Sequence, residues 1–275
     1  MMQCKSNYSR GVMGSLFGAA LLIATPASAG TISSFSDWQI NSGDLSSANS
    51  AVYYTTEDQH TEYLNPGYGG QAYDAEAIYT TWDANYLYVG MMTGREQNPG
   101  SGWAPGDIAI DLGSNGSYEF GLVTSSATGS NPATAGVGSP GELFAVNSWN
   151  YGIWDASGNH VGANSPLVDT DHPTSVASGS VIGSADHFLY SSIGSGYGNW
   201  GNDEHYFISA AIDLNLLGGA ALMDDGFSLH WAANCNNDWI LLDVPASPVP
   251  TPLPLMLLAA GLLGLMATRR TKRSV

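Results

Sequence analysis

The chain has 275 residues, with 24 Asp and Glu against 7 Lys and Arg, and it is 44% hydrophobic and 11% aromatic. Lys5 and Arg10 lie near the N-terminus and Arg269, Arg270, Lys272 and Arg273 near the C-terminus, so Gly30 to Pro245 carries 24 acids and one Arg, Arg95, a formal −23. A body with so few cations cannot neutralise phosphates, which argues against nucleic-acid binding, P-loop nucleotide chemistry and adhesion to anionic lipid. It is long enough for one domain with its own core and too apolar to be disordered by composition.

Residues 1–29 have the three parts of a secretory signal: basic Lys5 and Arg10, an apolar stretch from Val12 to Ala24, and Ala27-Ser28-Ala29 before Gly30. Cleavage is expected after Ala29. Cys4 precedes the apolar run, so it is not placed for lipid attachment, and Cys235 is the body's single cysteine. An exported body with one cysteine has no internal disulfide, and its stability must come from its core or from bound ions.

Through the body, short strand-like runs recur between clusters of Gly, Ser, Asn and Asp, with no long apolar repeat at helical spacing. Ala75 to Trp82 and Tyr86 to Thr93, separated by Asp83-Ala84-Asn85, read as an antiparallel hairpin. Gly106 to Leu112 and Ser117 to Val123 read as a second, with Ile108, Ile110 and Leu112 on one face and Asp107, Ala109 and Asp111 on the other. His187 to Ser191, His205 to Leu214, Phe227 to Ala232 and Trp239 to Val244 are further strands, and Leu214 to Gly218 makes one helical turn. Thr124 to Gly141 and much of Asn159 to Ser184 read as loops. The expected fold is all-β: a single antiparallel β-sandwich over residues 30–245, with a jelly roll as the close alternative.

Residues 246–275 contain a Pro-rich spacer, an apolar helix from Leu255 to Ala267 and a basic cluster from Arg269 to Arg273. The apolar run is shorter than the roughly 20 residues that span a bilayer comfortably. Extended from Leu253 to Thr268, it would cross a thin membrane with the cluster on the cytoplasmic side. This order, with Val249, Pro250, Pro252 and Pro254 ahead of the helix and Arg269, Arg270, Lys272 and Arg273 behind it, resembles the VPLPA-like variants of the PEP-CTERM sorting signal. The resemblance implies transient inner-membrane insertion through 255–267, processing by an exosortase, and transfer to the surface or surroundings of an exopolysaccharide-producing bacterium. The sequence lacks the Pro-Glu-Pro triplet of the best-known form.

A second resemblance lies in the body. Tyr73-Asp74-Ala75-Glu76-Ala77 and the Trp82-Asp83-Ala84-Asn85 turn into Tyr86-Leu87-Tyr88-Val89 are similar to the early hairpin of carbohydrate-binding family 9-like and DOMON-like sandwiches. His230-Trp231 through Cys235-Asn236-Asn237-Asp238 resembles a stretch of exosortase-dependent surface proteins, with Asn236 in place of a glycine. Both imply a sandwich fold with a surface or matrix role, and a scaffold of this kind does not itself fix a ligand.

Sugar binding needs exposed aromatic faces together with amide and carboxylate groups. Trp103, Trp149, Trp154, Tyr197 and Trp200 lie in loop-like surroundings and are the stacking candidates; folding back to cover the sandwich is the equal alternative for each. Trp82, Trp231 and Trp239 fall in strands and are expected in the core. Calcium is the ion that suits so acidic a body, with Asp107 and Asp111 as candidate ligands and turn closure as the competing role. No zinc spacing or Gly-x-Ser-x-Gly elbow is present. The expected protein is exported and non-catalytic and binds exopolysaccharide. The alternatives are a calcium-bridged structural or adhesive matrix component and a secreted carbohydrate-active enzyme.

Overall fold

A computed structural model describes residues 32–57, 70–127, 134–163, 165–198 and 202–246. The expected signal peptide, the tail beyond Ala246 and Trp200 lie outside the described residues. The protein is an all-β sandwich of two antiparallel sheets. Its strands are β1 (Tyr53–Thr56), β2 (Ala75–Trp82), β3 (Tyr86–Thr93), β4 (Ile108–Leu112), β5 (Phe120–Leu122), β6 (Glu142–Tyr151), β7 (Pro173–Ser184), β8 (Asp186–Gly194), β9 (His205–Asp213), β10 (Phe227–Ala232) and β11 (Trp239–Val244). One sheet runs β1-β2-β3-β9-β8 and the other β11-β10-β4-β5-β6-β7.

Local chemistry sets the hairpins. Between β2 and β3, Asp83 Oδ1 accepts from the backbone N–H groups of Asn85 and Tyr86 at 2.7 and 2.8 Å, closing the expected turn. After β9, Asp213 caps the helical turn α1 (Leu214–Leu217) by accepting from Asn215 N at 2.9 Å. Gly218, at φ 107°, ends that turn in the left-handed region.

The core lies between the sheets, where Ile78, Val89, Met91 and Ile208 meet Ile108, Leu122, Leu143, Phe227, Leu229 and Trp231. Trp231 is fully buried and its indole donates to the Gly106 carbonyl at 2.9 Å. A second apolar layer covers the outer face of the five-stranded sheet, where Ile32, Trp38, Ile40 and Leu45 pack on Tyr79, Tyr88, Met92 and Phe207. Covering on both faces explains why almost every residue of β2 and β3 is buried rather than every other one. Gly90 is small because a Cβ there would stand 2.8 Å from Phe207 and 3.0 Å from Trp38.

Asp107 fills a gap in the six-stranded sheet. β5 has only three residues, so beyond its end the entrance to β4 comes close to the entrance to β7, where Asp107 N donates to Thr174 O at 2.8 Å. The Asp107 carboxylate bridges the strands, accepting from Thr124 N at 3.0 Å and Val176 N at 2.9 Å. Burial of this carboxyl, with no cation beside it among the described residues, pushes its pKa up to about 7.

The loop expected over Asn159 to Ser184 is corrected here: its second half is the 12-residue strand β7. Only Pro173 to Val176 is continuously buried, and the Ser- and Gly-rich remainder pairs with β6 at the sheet edge. Edge pairing uses backbone groups and needs little apolar side chain, so the segment lacks a strand's usual composition.

Candidate functional site

The outer face of the six-stranded sheet carries a row of aromatic rings. On β10, Phe227, Leu229 and Trp231 point into the core, which turns Ser228 and His230 outward. On β11, Ile240, Leu242 and Val244 take the core side, so Trp239 faces outward near His230. His230 pairs with Ala109 on β4, and the Tyr118 ring lies 5.6 Å from the imidazole. Tyr118 meets Trp149 of β6 edge to face at 6.5 Å. Trp149 in turn lies over Gly121, where a Cβ would come within 2.8 Å of the indole. His172, from the residue before β7, lies parallel on Trp239 at 4.0 Å and 17°.

Trp239, His172, His230, Tyr118 and Trp149 thus form a continuous series across the sheet. His230 is fully buried and the other four are half-buried. Burial drives the His230 pKa well below the ordinary imidazole value, with the neighbouring His172 adding to the shift. It also lowers that of His172, against the opposing pull of Asp169 and Asp171. Burial raises the Tyr118 phenol, helped by the charges of Asp111, Asp243 and Asp171. The row therefore combines neutral aromatic surface with carboxylates close by, the set of groups a sugar uses.

Of the stacking residues expected from sequence, Trp149 belongs to this row. Trp154 is buried, donating its indole N–H to Asn237 Oδ1 at 3.0 Å. The Trp103 carbonyl accepts from Arg95 Nε at 2.6 Å. Arg95 also donates to Ser101 O at 2.7 Å and lies over the Tyr73 ring, so the body's single Arg is an internal clamp. Tyr197 packs against Phe35 and His205 beside the other sheet. These residues are dispersed rather than gathered, and Trp200 lies outside the described residues.

Asp111 closes the hairpin between β4 and β5: Oδ1 accepts from Asn115 N at 3.1 Å and Oδ2 from Gly116 N at 2.6 Å. Like Asp107, it has both oxygens occupied by backbone N–H groups. A different group, Glu57, Asp74 and Asp238, brings one carboxylate oxygen each within 4.8 Å of one another. Asp238 also ties the two sheets together, accepting from Ala75 N at 2.7 Å. Desolvation, followed by the charge of Glu57, raises the Asp238 pKa well above the usual carboxylate range. Three crowded carboxylates of this kind could hold a hard divalent cation.

Other ionisable groups are enclosed. Glu76 and His205 are both fully buried, with His205 Nε2 3.0 Å from Glu76 Oε1 and Gln71 bonded to the same oxygen. A cleft of about 400 Å³ nearby is lined by Gln71, Arg95, Glu96, Asp203, Glu204 and Tyr206. Cys235 is buried, which pushes its thiol up to about 12.

Tyr118, His172, His230 and Trp239 are not among the stacking residues expected from sequence, although the alternation in Phe227 to Ala232 already turns His230 away from the core. Glu57, Asp74 and Asp238 have no spacing in the chain that joins them. Among the described residues no helix is long and apolar enough to cross a membrane. No protein-family model matches the chain, and no curated protein matches it.

Proposed function

We propose that this chain is an exported, exosortase-sorted, non-catalytic surface or matrix protein that binds a neutral exopolysaccharide across the outer face of its six-stranded sheet. The observation that carries the binding reading is the row Trp239, His172, His230, Tyr118 and Trp149. The partly exposed rings of Trp239, His172, Tyr118 and Trp149 offer contact to the apolar side of a pyranose, with buried His230 holding them in line, and the nearby carboxylates accept from its hydroxyls. A body of formal charge −23 repels polyanions, which favours an uncharged polymer. The non-catalytic reading rests on the sequence, which has neither zinc-ligand spacing nor a Gly-x-Ser-x-Gly elbow.

The binding test is electrophoresis of the full-length chain through gels containing the producing cell's exopolysaccharide. The wild type is retarded. Trp149→Ala weakens binding by about 1.4 kcal/mol, roughly tenfold, while Tyr197→Ala does not. Unaltered retardation in Trp149→Ala contradicts the assignment.

The sorting reading rests on the tail sequence from Val249 to Arg273. Intact-mass measurement of the surface fraction is expected to find a product lacking Leu255 to Val275; a product retaining them rules the reading out.

A second reading, calcium-bridged association in the matrix, is favoured by the grouping of Glu57, Asp74 and Asp238. It predicts that retardation appears only when calcium is supplied and disappears with chelator. Retardation unaffected by either leaves the aromatic row as the binding element.

A further inference from the structure

Within the aromatic row, two imidazole nitrogens face each other. His172 Nδ1 lies 3.3 Å from His230 Nε2, with the ring planes 19° apart and their centroids separated by 5.4 Å. Rings stacked face on face would have closer centroids, as His172 and Trp239 do at 4.0 Å. The two imidazoles are therefore not stacked face on face but displaced along their planes, so that a ring nitrogen of each approaches one of the other.

Without an ion the two nitrogens share one hydrogen in a hydrogen bond whose donor depends on the tautomer. The same separation is the bite of a tetrahedral ion: bonds of about 2.0–2.1 Å place two nitrogens roughly 3.3 Å apart. The centroids of two rings bound in that way would be about 5.2 Å apart, close to the observed value.

The surroundings favour the protonation states that binding requires. Asp169 Oδ2 lies 3.9 Å from His172 Nε2, behind the ring, where a carboxylate favours hydrogen on Nε2 and leaves the Nδ1 lone pair toward His230. His230 Nδ1 is buried with no hydrogen-bond partner among the described residues, so that nitrogen can carry the hydrogen while Nε2 serves as the ligand. The His172 side chain is 16% exposed, which gives the pair an opening to solvent. With no third His, Cys, Asp or Glu grouped with these nitrogens among the described residues, the remaining ligand positions fall to water or to an exogenous oxygen ligand.

We propose that His172 and His230 form a two-nitrogen site for a divalent transition metal ion of the imidazole-preferring class, such as zinc, nickel or copper. The site is chemically distinct from the carboxylate group of Glu57, Asp74 and Asp238, which suits hard cations. It stands independently of polysaccharide binding, because the probe is the metal alone.

The test is titration of the full-length chain with Ni²⁺, following indole fluorescence, since Trp239 lies parallel to the His172 ring. Saturable quenching by one ion per chain is expected, and excess calcium leaves it unchanged. His172→Gln, at a position partly open to solvent, weakens binding roughly tenfold or more, while His160→Gln and His187→Gln keep it. His230 is fully buried, so replacing it endangers the fold. Copper paramagnetic resonance of the unaltered chain supplies a reading that does not depend on that variant, with coupling expected from two equivalent-type imidazole nitrogens. Binding that persists unchanged in His172→Gln, a copper spectrum without nitrogen coupling, or no saturable quenching overturns the proposal.

Discussion

Gly106→Ala is expected to be among the most damaging single-methyl additions in the body. A Cβ at this position would stand 1.7 Å from the Ala232 carbonyl oxygen and 2.6 Å from that of Thr174. Both are backbone atoms, held at the end of β10 and the start of β7, and cannot rotate away as a side chain could. The Gly106 carbonyl is itself fixed, because it accepts from the Trp231 indole at 2.9 Å and the Thr124 hydroxyl at 2.6 Å. Relieving the clash therefore means moving β4 away from β7 and releasing a fully buried tryptophan. Overpacking costs about 1–3 kcal/mol when side chains can adjust. Here loss of the indole's hydrogen bond adds about 1 kcal/mol more. The urea midpoint should fall accordingly, or the variant should fail to accumulate as a folded protein. Gly100→Ala is the control, since nothing lies within 4 Å of the added methyl. Equal midpoints for the two variants would falsify the placement of Gly106 against the backbone at Ala232 and Thr174.

Acidification should stabilise the body through Asp107. Its carboxyl is raised from 3.8 to about 7 by burial, with the amides of Val176 and Thr124 pulling only partly the other way. A carboxyl whose folded pKa lies above its unfolded value binds its proton more tightly in the folded state. The resulting stability is fully present below pH 3.8 and is lost as pH rises through about 7. The full span amounts to something on the order of 4 kcal/mol for this group alone. Urea unfolding at pH 5.5 and pH 8 measures it. The Asp107→Asn variant isolates it, because every other titrating group is common to both proteins. Asn does not titrate, so the variant's midpoint changes less between the two pH values than that of the wild type. Identical pH dependence in the two proteins would show that Asp107 does not titrate in this window.

What can be read in the chain is mostly local. Ala75 to Trp82, the Asp83 turn and Tyr86 to Thr93 form a hairpin because their strand composition and their turn chemistry agree, and the structure reproduces both strands with the expected bounds. The alternation of Phe227, Leu229 and Trp231 likewise marks the core face of β10. β7 carries no such signal, because its Ser- and Gly-rich half is held by pairing along β6 rather than by apolar burial. Trp239 is expected in the core from its strand, yet Ile240, Leu242 and Val244 claim that side and turn the indole outward.

The site is legible only in fragments. Trp149 can be picked out as an aromatic residue in polar surroundings, but its neighbours Tyr118 and His172 come from distant segments. Their approach depends on the short β5 and on the return of β7 toward β4, neither of which leaves a pattern in the chain. Glu57, Asp74 and Asp238 illustrate the same limit: a strand end, the entrance to β2 and the connection before β11 meet where the sheets close on each other. Asp107 and Asp111, which look like a pair of ion ligands on one strand face, each accept two backbone N–H groups.

The central claim is that the outer face of the six-stranded sheet receives a neutral polysaccharide. The eight tryptophans make it directly measurable, because each indole N–H gives its own nuclear magnetic resonance signal. Neutral oligosaccharides from the producing cell's exopolysaccharide are titrated into the labelled full-length chain. The signals of Trp149 and Trp239 should shift together and saturate, while those of the buried Trp38 and Trp231 stay in place. Saturating shifts confined to Trp103 or Trp200, or no shifts at all, contradict it.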